Sequence, residues 1–381
     1  MKTPWELLKE SKTKIKTAWR IAFVSALVLG LLIHLPVMLS DIPNHDGLSS
    51  MYFDQNMITS GRWFLTVACG FSSYFTIPWV IGLIGLIWLA LTAAVLTEVL
   101  ELTDPVTITV VSGLLVSFPA LASTFAYVFT MDGYMLALFL AVLAVLFTAK
   151  YPRGYLAGAV CLAFSMGIYQ AYLPFTILLC VYKILLYFME EKGWKEKAKY
   201  VCRYLGMGIA GGVLYYVILQ ILLKLQGKVL DTYQGINSME QMGSGMGILA
   251  TIKGMYVDFL AFTVHGNVLV NNIFSLAACI ILVATVVFLV IRSMIWRKWW
   301  KNPAFFVIMI LLGISMPLLT NVILLISPNL TYHLLMRYQW VLYLILMTAF
   351  ADRYTAEESR TDVVLQWAAL CAAVVLSLIH I

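Results

Sequence analysis

The sequence predicts an all-α, polytopic membrane protein with about eleven transmembrane helices. Its 381 residues are 62% apolar and only 12% charged, and the mean hydropathy is +0.91. Soluble domains are about 45–50% apolar and about 25% charged. Because a folded surface in water needs polar cover, this composition excludes an ordinary soluble enzyme and a disordered chain. The long apolar runs have the length that a bilayer demands.

Each predicted span follows from length and composition, since a hydrocarbon core of about 30 Å needs about 20 apolar residues per helix. The first, 18–39, follows a basic head but is too long for a cleaved signal peptide. The others lie at about 78–100, 106–124, 132–149, 154–169, 171–189, 203–223, 268–291, 303–326, 338–351 and 363–381. We expect one domain, 1–381, whose last apolar run either ends in the membrane or continues in a longer sequence.

The orientation follows from the distribution of Lys and Arg, which are enriched in cytoplasmic loops. With the N-terminus inside, 20 of the 25 basic residues fall on the inner side. The net charge of +6 is therefore a topology signal near anionic lipid, and we expect no nucleic-acid partner. Two outer segments, about 40–77 and 224–267, are long enough to carry a site, whereas the inner loops are short and basic.

The first outer segment contains the run Asn44-His45-Asp46-Gly47, with Asp41 before it and Gly61-Arg62-Trp63 after it. Between residues 48 and 71 apolar residues recur at near-helical spacing, which predicts one or two amphipathic helices lying in the membrane interface. Asp41 and Asp46 would then lie near the headgroups. The alternative is a solvated loop, because Asp-Gly is a common turn pair.

Three further features fall on the predicted outer side. Asp132 is the only ionisable residue in a long apolar stretch, which indicates either function or a helix cap. Tyr169 and Gln170 occupy a turn and suit either a sugar or an interfacial aromatic belt. Arg337 offers a cation for phosphate or a simple interface anchor. The Gly-rich stretch 226–247 predicts a flexible or re-entrant loop that could gate a cavity.

In their order along the outer face, these residues resemble the type II glucosyl transferases, the bacterial serotype-conversion enzymes and their relatives. The resemblance covers about residues 20–350 and includes Asn44-His45-Asp46-Gly47, Gly61-Arg62-Trp63, Phe118-Pro119 through Asp132-Gly133-Tyr134, and the turn at Tyr169. It implies a multi-pass glycosyltransferase of the GT-C type in the bacterial cytoplasmic membrane, with its active site outside. Such enzymes pass a sugar from a polyprenyl-phosphate donor to a cell-surface glycan acceptor.

The resemblance also implies roles for individual residues. Asp46 matches the expected catalytic base best and Asp41 second, although the two stand five residues apart instead of forming the commoner Asp-Asp pair. The substrate-binding candidates are His45, Arg62, Trp63, Asp132, Tyr169, Gln170 and Arg337.

The chemistry expected of a lipid-phosphate sugar fits these residues. The donor is already activated, so an inverting transfer needs a base for the acceptor hydroxyl and a cation, Arg62 or Arg337, for the departing phosphate. Carboxylates near phosphate can hold a divalent cation, but their spacing here does not demand one. The alternatives are a transporter or flippase for a lipid-linked saccharide, and a non-catalytic assembly scaffold. The absence of a convincing internal repeat and the outer clustering of carboxylates favour an enzyme.

Overall fold

The fold is a bundle of apolar helices. The computed structural model describes residues 3–6, 14–40, 46, 55–70, 77–231, 248–265, 268–298, 303–327, 330–355 and 359–379. Within these residues the extended backbone amounts to one isolated bridge, between Met57 and Arg62. The α-helices are α1 (Thr17–Leu39), α2 (Leu65–Ala68), α3 (Pro78–Leu100), α4 (Pro105–Ser117), α5 (Pro119–Phe125), α6 (Met131–Lys150), α7 (Gly154–Ile168), α8 (Leu173–Phe188), α9 (Trp194–Gln226), α10 (Ile248–Leu260), α11 (Ile273–Trp296), α12 (Pro303–Thr320), α13 (Ile323–Ile326), α14 (Val341–Tyr354) and α15 (Arg360–Ile379).

Many of these helices can cross a membrane. In the part of the chain that the structure describes, nine helices are long and apolar enough, or ten if the bent pair α4–α5 is one span. Two shorter apolar helices, Gly154–Ile168 and Phe305–Thr320, fall at predicted spans. A polytopic, all-helical membrane protein is thus confirmed, while the total of eleven spans stays a prediction.

The segment 248–265 differs from the sequence-based expectation. The sequence predicts it as part of the second outer segment, yet it forms α10 and a π-helical turn, Ala261–His265. The loop predicted over 226–247 lies mostly outside the described residues. The helix escaped the sequence analysis because Lys253 and Asp258 interrupt its apolar run and lower its hydropathy to 1.2, the lowest of the nine candidates.

One end of the bundle, here called the basic face, is joined by ion pairs. Glu98 at the end of α3 binds Lys16 and Lys150, each at 2.7 Å. Glu101 pairs with Lys183 of α8 at 2.6 Å and with Arg353 of α14 at 2.7 Å. The four basic residues of these ion pairs are all among those that the distribution of Lys and Arg assigns to the inner side. The structure brings their helix ends together at one end of the bundle. The opposite end is called the site face.

The chain bends by 49° at the break between α4 and α5. Pro119 has no N–H, so the carbonyl of Leu115 loses its helical partner. The hydroxyl of Tyr338 donates to that carbonyl, and His34 Nε2 lies 2.8 Å from the next one, of Val116. Because both carbonyls are satisfied from other helices, the break is stable inside the bundle.

Candidate active site

A cavity of about 690 Å³ opens at the site face. Its walls come from the segment 55–62, the start of α6, the turn after α7, the middle of α9, and the stretch from α13 to residue 336. The described polar residues that line it are Asp46, Gln55, Ser60, Arg62, Tyr127, Thr130, Tyr134, Tyr169, Gln170, Tyr215, Tyr216, Ser327 and His333. Aliphatic and aromatic side chains supply the rest. This mixture of apolar walls and a few polar groups is typical of ligand sites.

Arg62 is held in the cavity wall by two aromatic residues. Its Nη1 donates to the hydroxyl of Tyr134 at 3.2 Å, and its guanidinium lies over the ring of Tyr169 at 5.0 Å. The two tyrosine rings are stacked, with centroids 4.2 Å apart. Arginine stacks well on aromatic faces because its charge is planar and weakly hydrated. The stack therefore fixes the position of the cation while leaving it in the cavity lining.

The backbone before Arg62 is braced from two other elements. Ile58–Ser60 forms a 3₁₀ turn, and Gly61 adopts a left-handed conformation with φ +77°. Gln170 Nε2 donates to the carbonyl of Ser60 at 3.1 Å and to the hydroxyl of Tyr215 at 3.0 Å. Tyr215 in turn donates to the carbonyl of Gly61 at 3.0 Å. The amide nitrogen of Gln170, a predicted sugar contact, thus holds this loop.

The prediction of interfacial helices over 48–71 is wrong for the described part, 55–70. That part forms the 3₁₀ turn and the single turn of α2, and Ile58 and Leu65 are buried. The near-helical spacing was misleading because the left-handed Gly61 ends any helix there. Ile58, Leu65 and Cys69 are buried in the bundle, whereas Met57 and Val67 remain exposed.

Trp63 is a packing residue beside the cavity. Its ring packs edge to face on Phe164, and a Cβ on Gly167 would lie 2.6 Å from it. Phe64 N donates to the carbonyl of Gly167 at 2.7 Å. These contacts seat the segment on the end of α7. Trp63 is not among the described residues that line the cavity, so its predicted role in substrate binding stays a prediction.

Asp132 lies in the first turn of α6 and is 3% exposed. Its Oδ1 accepts the N–H of Gly133 at 2.9 Å. An acidic side chain there is favoured by the helix dipole, although the N-cap of α6 is Thr130 and not Asp132. Asp132 is outside the described cavity lining, whereas its neighbours Thr130 and Tyr134 belong to it.

Arg337 is also outside that lining, and it is paired with an acid. It forms a bidentate ion pair with Asp258 of α10, with nitrogen–oxygen distances of 2.6 and 2.7 Å. Asp41 and His45 lie outside the described residues. The structure therefore brings together Asp46, Arg62, Tyr169 and Gln170 of the predicted set.

Several cavity residues were missed in the sequence. Tyr134, which holds Arg62, stands two residues after Asp132 in a motif that drew attention to the aspartate. His333 stands four residues before Arg337 but belongs to no motif, and Gln55 and Tyr215 have no motif around them. Their shared location arises from helix packing, which no local pattern encodes.

A divalent cation bound by protein side chains needs a cluster of carboxylate, imidazole or thiolate donors. No group of three His, Cys, Asp or Glu residues that could hold a metal ion occurs among them. Asp46 and His333 are the cavity-lining members of those residue types in the described set. Within the described residues, the donors that the cavity offers to a cation are therefore one carboxylate and one imidazole.

The described residues define a polytopic helical membrane protein whose cavity is lined by both an arginine and a carboxylate. The family model described as glucosyl transferase GtrII matches residues 35–351. The chain therefore belongs to the GtrII glucosyl transferase family and is a glycosyltransferase, which confirms the resemblance inferred from its motifs. Comparison with curated proteins and with solved structures found no significant match.

We expect Gly61→Ala to reduce turnover by about 10²-fold, because small displacements of an active-site group can cost that much. A Cβ there would meet Tyr215 Oη at 2.5 Å and Gln170 Nε2 at 2.6 Å, and the left-handed backbone costs about 1–2 kcal/mol for other residues. Steady-state assays and thermal unfolding in detergent measure the two effects.

The matched control is Gly208→Ala, since a Cβ at Gly208 of α9 meets nothing within 4 Å. We expect wild-type turnover and equal or slightly higher stability there, because alanine favours helix. Wild-type turnover in Gly61→Ala would contradict the role assigned to the brace.

Proposed function

We propose that this protein transfers a hexose, in the first instance glucose, from a polyprenyl-phosphate donor to a cell-surface glycan acceptor outside the cytoplasmic membrane. The observation that carries the proposal is that one cavity of a GtrII family member is lined by both Asp46 and Arg62. A base and a cation are the two groups that this transfer requires.

In the proposed step the carboxylate of Asp46 takes the proton of the acceptor hydroxyl. The acceptor oxygen forms a bond to the anomeric carbon while the bond from that carbon to the phosphate oxygen breaks. The electron pair leaves with the phosphate, and Arg62 compensates its growing charge. Polyprenyl phosphate is released, and a single displacement inverts the anomeric configuration.

The surroundings of Arg62 support a sugar at this position. The rings of Tyr127, Tyr134 and Tyr169 line the cavity together with the amide groups of Gln55 and Gln170. Aromatic faces suit the C–H side of a pyranose, and amides suit its hydroxyls. Asp46 and Arg62 supply the charge in this part of the described lining.

The lipid part of the donor would reach the cavity beside α9. Val213 and Tyr216 line the cavity and are 58% and 56% exposed. Because α9 is a candidate membrane span, we infer that the cavity opens laterally toward lipid at these two residues. A polyprenyl chain can remain in the bilayer while its phosphate reaches Arg62.

Blocking this opening should impair lipid donors selectively. We expect Gly212→Leu to lower kcat/KM at least about tenfold for a long-chain polyprenyl donor and less than about threefold for a short-chain donor, since a bulky side chain narrows the α9 wall. Gly208→Leu is the control, because this glycine also faces open space but is not in the cavity lining. Equal losses for both donors would exclude the lateral path.

The proposed location is the cytoplasmic membrane, with the N-terminus inside and the cavity outside. Its support is the distribution of Lys and Arg in the sequence, together with the meeting of Lys16, Lys150, Lys183 and Arg353 at the basic face. We expect cysteines at Lys228 and Lys192, both exposed and each in a cysteine-free background, to react with an impermeant thiol reagent on opposite sides of intact cells. The cysteine at Lys228 should react from outside. The reverse pattern would refute this orientation.

The proposal is tested with purified protein in vesicles that contain a synthetic polyprenyl-phosphate glucose. A glucosyl transferase releases polyprenyl phosphate and elongates an added glycan, and both products can be counted. A transporter or flippase would move the intact lipid without releasing phosphate. Transbilayer movement with no product for any sugar donor would refute the proposed enzyme.

A further inference from the structure

The segment Leu334–Trp340 forms one wall of the cavity and is tied to several helices. Leu335 and Met336 face the cavity. Of the four residues that follow, Tyr338 donates to the Leu115 carbonyl at the α4–α5 break, and Gln339 Nε2 donates to the Thr320 carbonyl at 3.0 Å. Arg337 and Trp340 both contact the turns of 248–265. The position of this wall therefore depends on the positions of the helices that it contacts.

Arg337 is the charged residue of the segment Leu334–Trp340, and an ion pair with Asp258 holds its side chain in place. Both terminal nitrogens bind Asp258, and the guanidinium lies 3.9 Å from the ring centre of Tyr332 and 4.8 Å from that of Phe262. The side chain is 12% exposed. Asn321 Nδ2 also donates to Asp258, at 3.1 Å. To bind a phosphate, Arg337 would have to abandon a half-buried carboxylate, which is costly.

The helix that carries Asp258 is attached to the bundle mainly on one side. Met255, Phe259 and Phe262 face the bundle, whereas Val257 and Leu260 are exposed. The chain before it lies on the site face, because Asp231 N donates to the Thr59 carbonyl at 2.9 Å. The chain after it enters α11, whose far end reaches the basic face where Arg297 donates to the Met189 carbonyl. Both flanks of α10 therefore start from the site face, and α10 docks against the cavity wall from that side.

We propose that Arg337 and Asp258 are a positioning pair, which docks α10 on the segment 334–340 and thereby sets the cavity wall at Leu335 and Met336. In this role Arg337 acts on the wall and does not touch the donor phosphate, which is left to Arg62. The inference rests on the proposed function for its activity readout, but docking of α10 can be measured without any substrate.

The decisive variants are Asp258→Asn, Arg337→Gln and the charge-swapped pair Asp258→Arg with Arg337→Asp. For each we would measure kcat and KM for the synthetic donor, and hydrogen exchange of residues 248–265 in detergent. Positioning predicts a loss of at least about tenfold in kcat/KM for both single variants, with faster exchange in 248–265. The swapped pair should recover to within about threefold of wild type, with exchange slowed again.

Direct binding of phosphate by Arg337 predicts the opposite pattern. Asp258→Asn would then keep or improve KM, because the guanidinium is released, and the swapped pair would be as inactive as Arg337→Gln. Either result overturns the proposal, as does a loss in Asp258→Asn with unchanged exchange. If the swapped pair does not fold, Asp258→Asn alone decides.

The matched control is Lys253→Gln, which removes an exposed charge from the same helix and should change neither readout. Failure of the proposed function looks different from failure of the positioning pair. In the first case the wild-type protein itself shows no transfer, and the exchange data still report whether the pair docks α10. In the second case the wild type is active and the variants do not follow the pattern.

Discussion

Asp46→Asn should lower kcat by about 10²–10⁴-fold, because that is the usual contribution of a positioned general base. The amide keeps the size and the hydrogen-bonding ability of the side chain but cannot accept the proton of the acceptor hydroxyl. KM for the polyprenyl donor should change little, since the carboxylate acts on the acceptor. Release of polyprenyl phosphate and formation of the elongated glycan, followed over time, measure the effect.

The matched control removes a carboxylate on the basic face. Glu190→Gln removes a carboxylate that forms an exposed ion pair with Lys192 at 2.9 Å. Exposed ion pairs of this kind contribute little to stability. We expect wild-type turnover there. If Asp46→Asn turns over like the wild type while its thermal unfolding is unchanged, another group must remove the proton, and the assignment of Asp46 fails.

Arg62→Gln should lower kcat by about 10²–10³-fold, comparable to the loss of one preorganised group that stabilises charge in a transition state. The effect should fall on kcat more than on KM, because the phosphate gains charge as the sugar leaves. Arg62→Lys should recover little, since an ammonium cannot both stack on Tyr169 and donate to Tyr134 as the planar guanidinium does.

The control for this series is Arg153→Gln, an exposed arginine between α6 and α7 on the basic face. It carries the same loss of charge without contact to the cavity, so we expect unchanged kcat. Full activity of Arg62→Lys together with loss in Arg62→Gln would show that a point charge suffices and that the tyrosine stack has another purpose.

The helical membrane fold could be predicted in detail because it depends on local composition. Helices start or end near the predicted limits at Pro78–Leu100 and Thr17–Leu39, since a run of apolar residues in lipid can satisfy its backbone only as a helix. The segment 248–265 was missed because two charged residues lowered its hydropathy. The charge of Asp258 is tolerated because it pairs with Arg337, a residue 79 positions away, and Lys253 is exposed.

The candidate site was predictable only in part, because contacts between residues far apart in the chain leave no local pattern in the sequence. Arg62 and Tyr169 stood out in the sequence, and the structure stacks one on the other. Tyr134 was not selected, although it holds Arg62, because a tyrosine in an apolar run resembles any interfacial aromatic residue. Trp63 and Arg337 also stood out, but one packs on Gly167 and the other on Asp258.

The sequence by itself determined the membrane class, most helix limits, the segregation of basic residues and the family, because all of these depend on composition, spacing or motif order along the chain. Only the tertiary structure decided which polar residues share a cavity. It placed Asp46 and Arg62 in the same lining and gave Gln170 the carbonyl of Ser60 as a partner. Contacts of this kind depend on how helices far apart in the chain pack against each other. Hydrophobic periodicity carries no information about which helices are neighbours.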